Sequence, residues 1–376
     1  MRKMVLPGIA LIGISYAFAR FSFGLFLPEI SQTFKLTEAC SGFIGSLGYF
    51  AYCMALLTSS LMIERAGQHV AIRLSALFAL LGIVGIAVSS NAFVLGVSVF
   101  VAGLSTGWAS PAFGTVTANE LKPSEQDRGN TWINSGTSFG IILSGPIALF
   151  FMEYWRISYA VFALITVVVL IWNAKVIPAR KQKATPVSFR ELLTLWKRSI
   201  PLILASLLIG ISSSIYWTFS RSFLVVNYNV PNTEATCFWI VMGAFGIVGG
   251  LAGGIIHRIG MQWSYWVGVL LMAGAVALLT LPILAISFLS AILFGMTYIF
   301  LTGVFIVWGT SLFSDNPSVG ISLSFLLLGI GQFIGASLAG GLIQMSSYTT
   351  AFLIFSLIGV LGVFIRTIKQ RESLSE

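Results

Sequence analysis

Charge is scarce in this sequence. Only 9% of its 376 residues are Asp, Glu, Lys or Arg, against about a quarter in ordinary soluble domains. With 57% of the chain hydrophobic, a water-soluble fold is excluded, because too few polar groups exist to face water. Cysteine is rare too: Cys40, Cys53 and Cys237 show neither a CxxC pair nor the spacing of metal ligands, and they read as packing residues. The twelve acids all fall at the ends of apolar runs or between them, and neither histidine lies inside one. A proton-coupled carrier usually needs a titratable group along its path, and a pump for cationic drugs usually wants a buried acid. Both readings lose weight. The absence of any catalytic constellation, and of a polar stretch long enough for a soluble catalytic domain, argues against an enzyme. No catalytic residue, metal site or cofactor is expected.

What is present is length in apolar runs. A membrane helix needs about 20 mostly apolar residues, and twelve such stretches are legible, near 5–28, 41–62, 70–90, 93–117, 131–152, 157–177, 200–224, 237–256, 263–281, 284–308, 319–342 and 349–366. The opening Met1-Arg2-Lys3 imitates a signal peptide, but the run behind it reaches Pro28, too long for one, so it reads as a retained first span. The formal charge of +9 reads as basic loops facing anionic lipid rather than as a nucleic-acid surface. With both termini cytoplasmic, 17 of the 21 Lys and Arg residues fall inside, only Lys35 and Arg156 fall outside, and Arg20 and Arg221 remain within spans. That split fixes the expected orientation in the plasma (inner) membrane.

The longest polar interval, Pro178 to Ser199, is basic and separates six spans from six. The expected organisation is an N-terminal bundle over 1–178, a cytoplasmic linker over 179–199, and a C-terminal bundle with a short tail over 200–376. Around Leu192–Trp196 the linker has the pattern of a short surface helix or of a plain solvated segment.

Two loops repeat each other. Ser60-Leu61-Met62-Ile63-Glu64-Arg65-Ala66-Gly67-Gln68-His69 follows the second span, and Gly253-Gly254-Ile255-Ile256-His257-Arg258-Ile259-Gly260 follows the eighth, 193 positions later. Both resemble the G-x-x-x-D-R-x-G loop of the major facilitator superfamily. Glu64 stands in the acidic place of the first copy and His257 in that of the second. The resemblance covers the whole chain and implies an all-α membrane protein of twelve spans in two pseudo-symmetric six-helix bundles, transporting by alternating access. It also implies gating by the loop, for which Glu64, Arg65, Arg73 and Arg258 are the candidates; positive-inside charges beside a turn at Gly67 are the plain alternative. Gly136, Gly140 and Gly145-Pro146 in span five only loosely resemble an exchanger motif and read as packing residues, like the glycines of span eleven.

In the same family, spans one, four, seven and ten line the central cavity. That directs attention to Tyr16 and Arg20, Trp108, Trp217 and Arg221, and Tyr298 with Thr302, while Tyr49, Tyr52, Asn134 and Gln332 stand on neighbouring spans. Ionisable groups at membrane depth cost about 2.5–3.5 kcal/mol on insertion scales and read as functional by default. Arg20 and Arg221 occupy the equivalent first span of each half, each with an aromatic residue one turn before it. They resemble the paired arginines of organic-phosphate exchangers, which implies that they face one another and share a small anionic solute. Snorkelling to the surface, or stacking on Tyr16 and Trp217, is the structural alternative. The expected protein is a monomeric carrier of an organic anion; export of hydrophobic compounds is the competing function.

Overall fold

The computed structural model describes residues 2–151, 154–179, 196–250, 252–313 and 317–367. Among them no strand occurs. Ten helices are long and apolar enough to cross a membrane: α1 (Lys3–Leu25), α2 (Glu38–Ala66), α3 (Gln68–Ala87), α4 (Ala92–Glu120), α5 (Pro123–Phe150), α6 (Trp155–Val176), α7 (Ser199–Asn227), α9 (Met261–Leu278), α10 (Leu284–Leu312) and α11 (Val319–Met345). The two remaining places are filled by α8 (Asn232–Gly249), prolonged by Ala252–Ile259, and α12 (Tyr348–Leu361). Inside a helix the backbone hydrogen bonds are made within the segment itself, which is why an apolar run of sufficient length marks a spanning helix.

Polar caps set several helix starts, within one residue of the expected boundary at Ala92 and Tyr348 and three residues before it at Glu38. Thr37 accepts from the Cys40 amide, Asn91 from Val94 and Ser347 from Thr350, each satisfying an otherwise orphaned donor of a first turn. α5 starts at Pro123, well before the apolar run, because a proline in the first turn loses no hydrogen bond and the polar residues behind it continue the helix. The helix that carries α7 starts at Trp196 rather than at 200, while 180–195, most of the linker, lie outside the described residues. Pro28 does not end the first span: the chain breaks at Phe26 and resumes as the helix Leu27–Phe34 with Pro28 in its first turn.

The repeat seen in sequence is also a repeat in backbone. Gly67 has φ 92° and ψ 158°, and Gly260 has φ 82° and ψ 161°. A side chain rarely tolerates that region, so both loops need glycine at the same place. A second repeated feature is absent from the sequence pattern: a π-helical segment interrupts α1 at Ile14–Phe21, and another ends α7 at Phe223–Asn227.

The halves meet along α2 and α11, α5 and α8, and the α1 region with α7. On α2 the described contacts start at the Glu38 end, where the Ala39 amide donates to Gln344 Oε1 at 3.2 Å. They continue through Gly42, whose Cα side is closed by Gly340 and Ala336, to Phe50 against Phe333 with ring centres 5.2 Å apart. They reach Cys53, whose Sγ donates to the Leu326 carbonyl at 3.8 Å. Between Cys53 and Ala66 no hydrogen bond or ring contact is described between the halves. Closure thus runs from the Glu38 end to about the midpoint of α2.

Candidate functional site

Arg20 sits at the level where that closure stops. Its place in the π segment of α1 is typical of functional positions, because the extra residue per turn displaces side chains from the regular helical stripe. Arg20 is 7% exposed, and it and Arg221 are the only charged side chains counted as buried among the described residues. Four rings surround its guanidinium: Tyr52 at 4.3 Å, Tyr49 at 4.6 Å, Phe21 at 5.3 Å and Tyr16 at 5.8 Å. Nη2 donates to Gln332 Oε1 at 2.5 Å, and Gln332 Nε2 donates in turn to the Tyr298 hydroxyl at 3.1 Å. Nε is buried without an acceptor. No carboxylate among the described residues balances the charge. Aromatic quadrupoles and one amide oxygen offset only part of the cost of burying a cation, so the group retains attraction for an anion.

Arg221 stands in a different environment. Its Nη1 and Nη2 donate to Glu29 Oε2 and Oε1, both at 2.7 Å, in a fork-to-fork pair. Nη1 also donates to the Leu25 carbonyl at 2.6 Å and Nη2 to Asn232 Oδ1 at 3.0 Å. Glu29 belongs to the first half and Arg221 to the second, so the pair clasps the halves together at the Glu38 end. A cleft of about 270 Å³ lined by Leu27, Pro28, Phe219, Ser222 and Tyr348, among others, lies at this end and not at Arg20.

The other candidates divide between these surroundings and distant ones. Tyr16 is half-buried and its hydroxyl lies 3.0 Å from Ser110 Oγ. Trp217 does not stack on Arg221, which has no described cation–π partner. It stacks on Phe21 with centres 4.1 Å apart and meets Tyr298 edge-on at 5.1 Å, which brings it into the shell around Arg20, and its Nε1 is buried without an acceptor. Tyr298 reaches Arg20 through Gln332. Trp108 turns elsewhere: its Nε1 donates to Thr58 Oγ1 at 3.1 Å and its ring meets the edge of Phe78 at 5.1 Å. Thr302 caps the Ile299 carbonyl, and Asn134 is exposed.

At the loops, Glu64, Arg65, Arg73 and Arg258 are all exposed. Arg73 Nη2 donates to the Ala174 carbonyl at 3.0 Å, tying α3 to α6. The first loop is also held to α4 by Asn119 Nδ2, which donates to the buried Gln68 Oε1 at 3.0 Å. Among the described residues no group of three His, Cys, Asp or Glu side chains is placed to hold a metal ion.

Sequence reasoning missed Glu29 as a partner. It was sorted with loop acids, although its position directly after a proline, in a first helical turn, was a signal that the chain is ordered there. Gln332 and the two tyrosines of α2 were named only as neighbours; the structure puts them on the guanidinium.

The sequence profile of the Major Facilitator Superfamily matches residues 9–323. A relative from Bacillus subtilis (strain 168), described as the uncharacterized transporter YybO, is 24% identical over 184 residues. That match spans 48% of this chain and 41% of the relative, so the chain is aligned to less than half of the relative's length. Among solved structures, the nucleoside transporter NupG superposes with a TM-score of 0.80 at 15% identity, covering 96% of this chain and 98% of the other. A D-xylose–proton symporter superposes with a TM-score of 0.76 at 12% identity, covering 98% of each. At such identities these likenesses show a shared fold.

Proposed function

The chain belongs to the Major Facilitator Superfamily, and from that premise we propose that this multi-pass membrane transporter carries a small organic anion by alternating access, with Arg20 as the anchor for the solute's charge. One observation carries the reading: Arg20 is buried and has no counter-ion among the described residues. An isolated buried charge is costly. A protein that maintains one at the limit of an inter-bundle contact gains a receptor for the opposite charge there. Binding would draw Arg20 toward the solute and away from Gln332, which belongs to the other half, so ligand and closure compete for the same guanidinium.

The reading includes an orientation with both termini in the cytoplasm of a cell whose inner membrane holds the protein, from the 17 to 2 division of basic residues, and a single chain as the working unit. Export of hydrophobic compounds is the second reading, favoured by the ring-lined surroundings of Arg20. The two differ in the charge they tolerate. A thermal-shift screen on detergent-purified protein, followed by flux into proteoliposomes, separates them: organic anions should stabilise the protein and move, by mass action on the folded state. Stabilisation by lipophilic cations, with none by anions, would overturn the anion assignment.

A further inference from the structure

We infer that the site takes a solute with one negative charge, a carboxylate, borne on a flat apolar body: a lipophilic monocarboxylate rather than a dicarboxylate, a phosphate ester or a polyol. The inference rests on the anion reading of Arg20 and narrows it.

The first support is charge balance. Two guanidinium groups are buried. Glu29 neutralises Arg221 through two bonds of 2.7 Å, and Asn232 and the Leu25 carbonyl accept from the same two terminal nitrogens, leaving only Nε without an acceptor. Among the described residues, Arg20 is therefore the single uncompensated buried charge. One carboxylate brings the site to neutrality, whereas a dianion leaves one negative charge at membrane depth with no cation facing it, a penalty that nothing described offsets.

The second support is the shape of the free edge. Four ring centroids stand 4.3–5.8 Å from the guanidinium carbon, which lies over each ring. Nε has no acceptor and the one hydrogen bond described for Nη2 is to Gln332 Oε1, so donors along one edge of the guanidinium are left for a ligand. A planar carboxylate matches that edge with two oxygens. A phosphate monoester carries about 1.5 to 2 negative charges at neutral pH and overshoots the single guanidinium.

The third support is the wall. Around the guanidinium stand Tyr16, Phe21, Tyr49, Tyr52, Tyr298 and Trp217, with Gln332 as the one amide. A polyol brings no negative charge to Arg20, whereas an aromatic or branched apolar body borne on a carboxylate also gains from ring contact.

The test uses the full-length protein in detergent, titrated calorimetrically and by thermal shift with benzoate, acetate, phthalate and phenyl phosphate. Benzoate is expected to bind at least about tenfold more tightly than each of the other three. Two variants make the result specific. Arg20→Gln removes the charge and is expected to abolish benzoate binding. Gln332→Glu supplies an internal carboxylate to Arg20 and is expected to weaken benzoate by about a hundredfold or more while raising the melting temperature of the unliganded protein. Should phthalate or phenyl phosphate equal benzoate in an Arg20-dependent manner, the single-charge inference is overturned and the anion reading stands. Should acetate equal benzoate, the apolar body is wrong. If no anion binds, or if Arg20→Gln binds benzoate like the wild type, the anion reading itself fails and takes this inference with it.

Discussion

Arg221 of the second half grips Glu29 of the first through two parallel bonds of 2.7 Å, with 2% of the arginine side chain and 13% of the glutamate side chain exposed. The contact lies 192 positions apart in sequence. Breaking a buried pair by removing one partner typically costs about 3–5 kcal/mol, because the other charge stays buried alone. A carrier that alternates must part such a clasp once per cycle, so its strength sets the balance between states.

Glu29→Gln should therefore loosen the Glu38 end. In a background lacking the native cysteines, Ala39→Cys and Gln344→Cys bracket the hydrogen bond between α2 and α11. Their oxidative cross-linking should slow several-fold in the Glu29→Gln variant, and the melting temperature should drop. An unchanged cross-linking rate would show that the pair does not hold the halves together.

The two arginines should respond differently to lysine, which keeps the charge and loses the fork of donors. Arg20→Lys should insert normally and lose ligand affinity by tenfold or so, about 1.4 kcal/mol. Arg221→Lys should transport slowly while keeping equilibrium affinity within a few-fold. Equal losses of affinity in both would return Arg221 to the solute site.

Gly24 tests the closeness of α1 and α7. A Cβ there would collide with the Trp217 carbonyl, a backbone atom that cannot swing aside, whereas a Cβ on Gly341 meets nothing within 4 Å. Gly24→Ala should impede closure of the Glu38 end and lower transport by an order of magnitude or so, as expected when small residues set helix approach. Gly341→Ala should stay within about 0.5 kcal/mol of wild-type stability. Wild-type flux in Gly24→Ala would contradict the packing described.

Glu64 and Arg65 lie exposed at the opposite end, with Gly67 forming the turn behind them. Replacing either with Ala should slow transport and leave ligand affinity within a few-fold, because the loop is remote from Arg20. Complete loss of binding in a well-folded variant would remove the gating assignment.

Division of the chain within 180–195 provides a test of the two-bundle organisation. Co-expressed pieces, one ending near 178 and the other starting before Trp196, should assemble and transport. If both insert and flux appears only with the intact chain, the linker has a role beyond connection.

Twelve spans, the repeated loop and the two in-span arginines are legible in the order of residues alone. Each is a local signal: lipid obliges every spanning segment to satisfy its own backbone, and a charge inside an apolar run is conspicuous wherever it falls. The sequence placed a turn at Gly67, and the structure adds that Gly67 and Gly260 share a positive φ. Only the tertiary structure decided which arginine is balanced. Arg20 and Arg221 look equivalent along the chain, each following an aromatic residue by one turn, yet one meets Glu29 and Asn232 while the other meets Gln332 and tyrosine faces. That difference depends on the break at Phe26, after which Glu29 meets α7, on the π segment that holds Arg20 while Arg221 stays in regular α-helix, and on the docking of α2 against α11. None is a property of a short segment, since the interaction of two charges depends on their separation in space, and here that separation is set by helices packed from opposite halves of the chain.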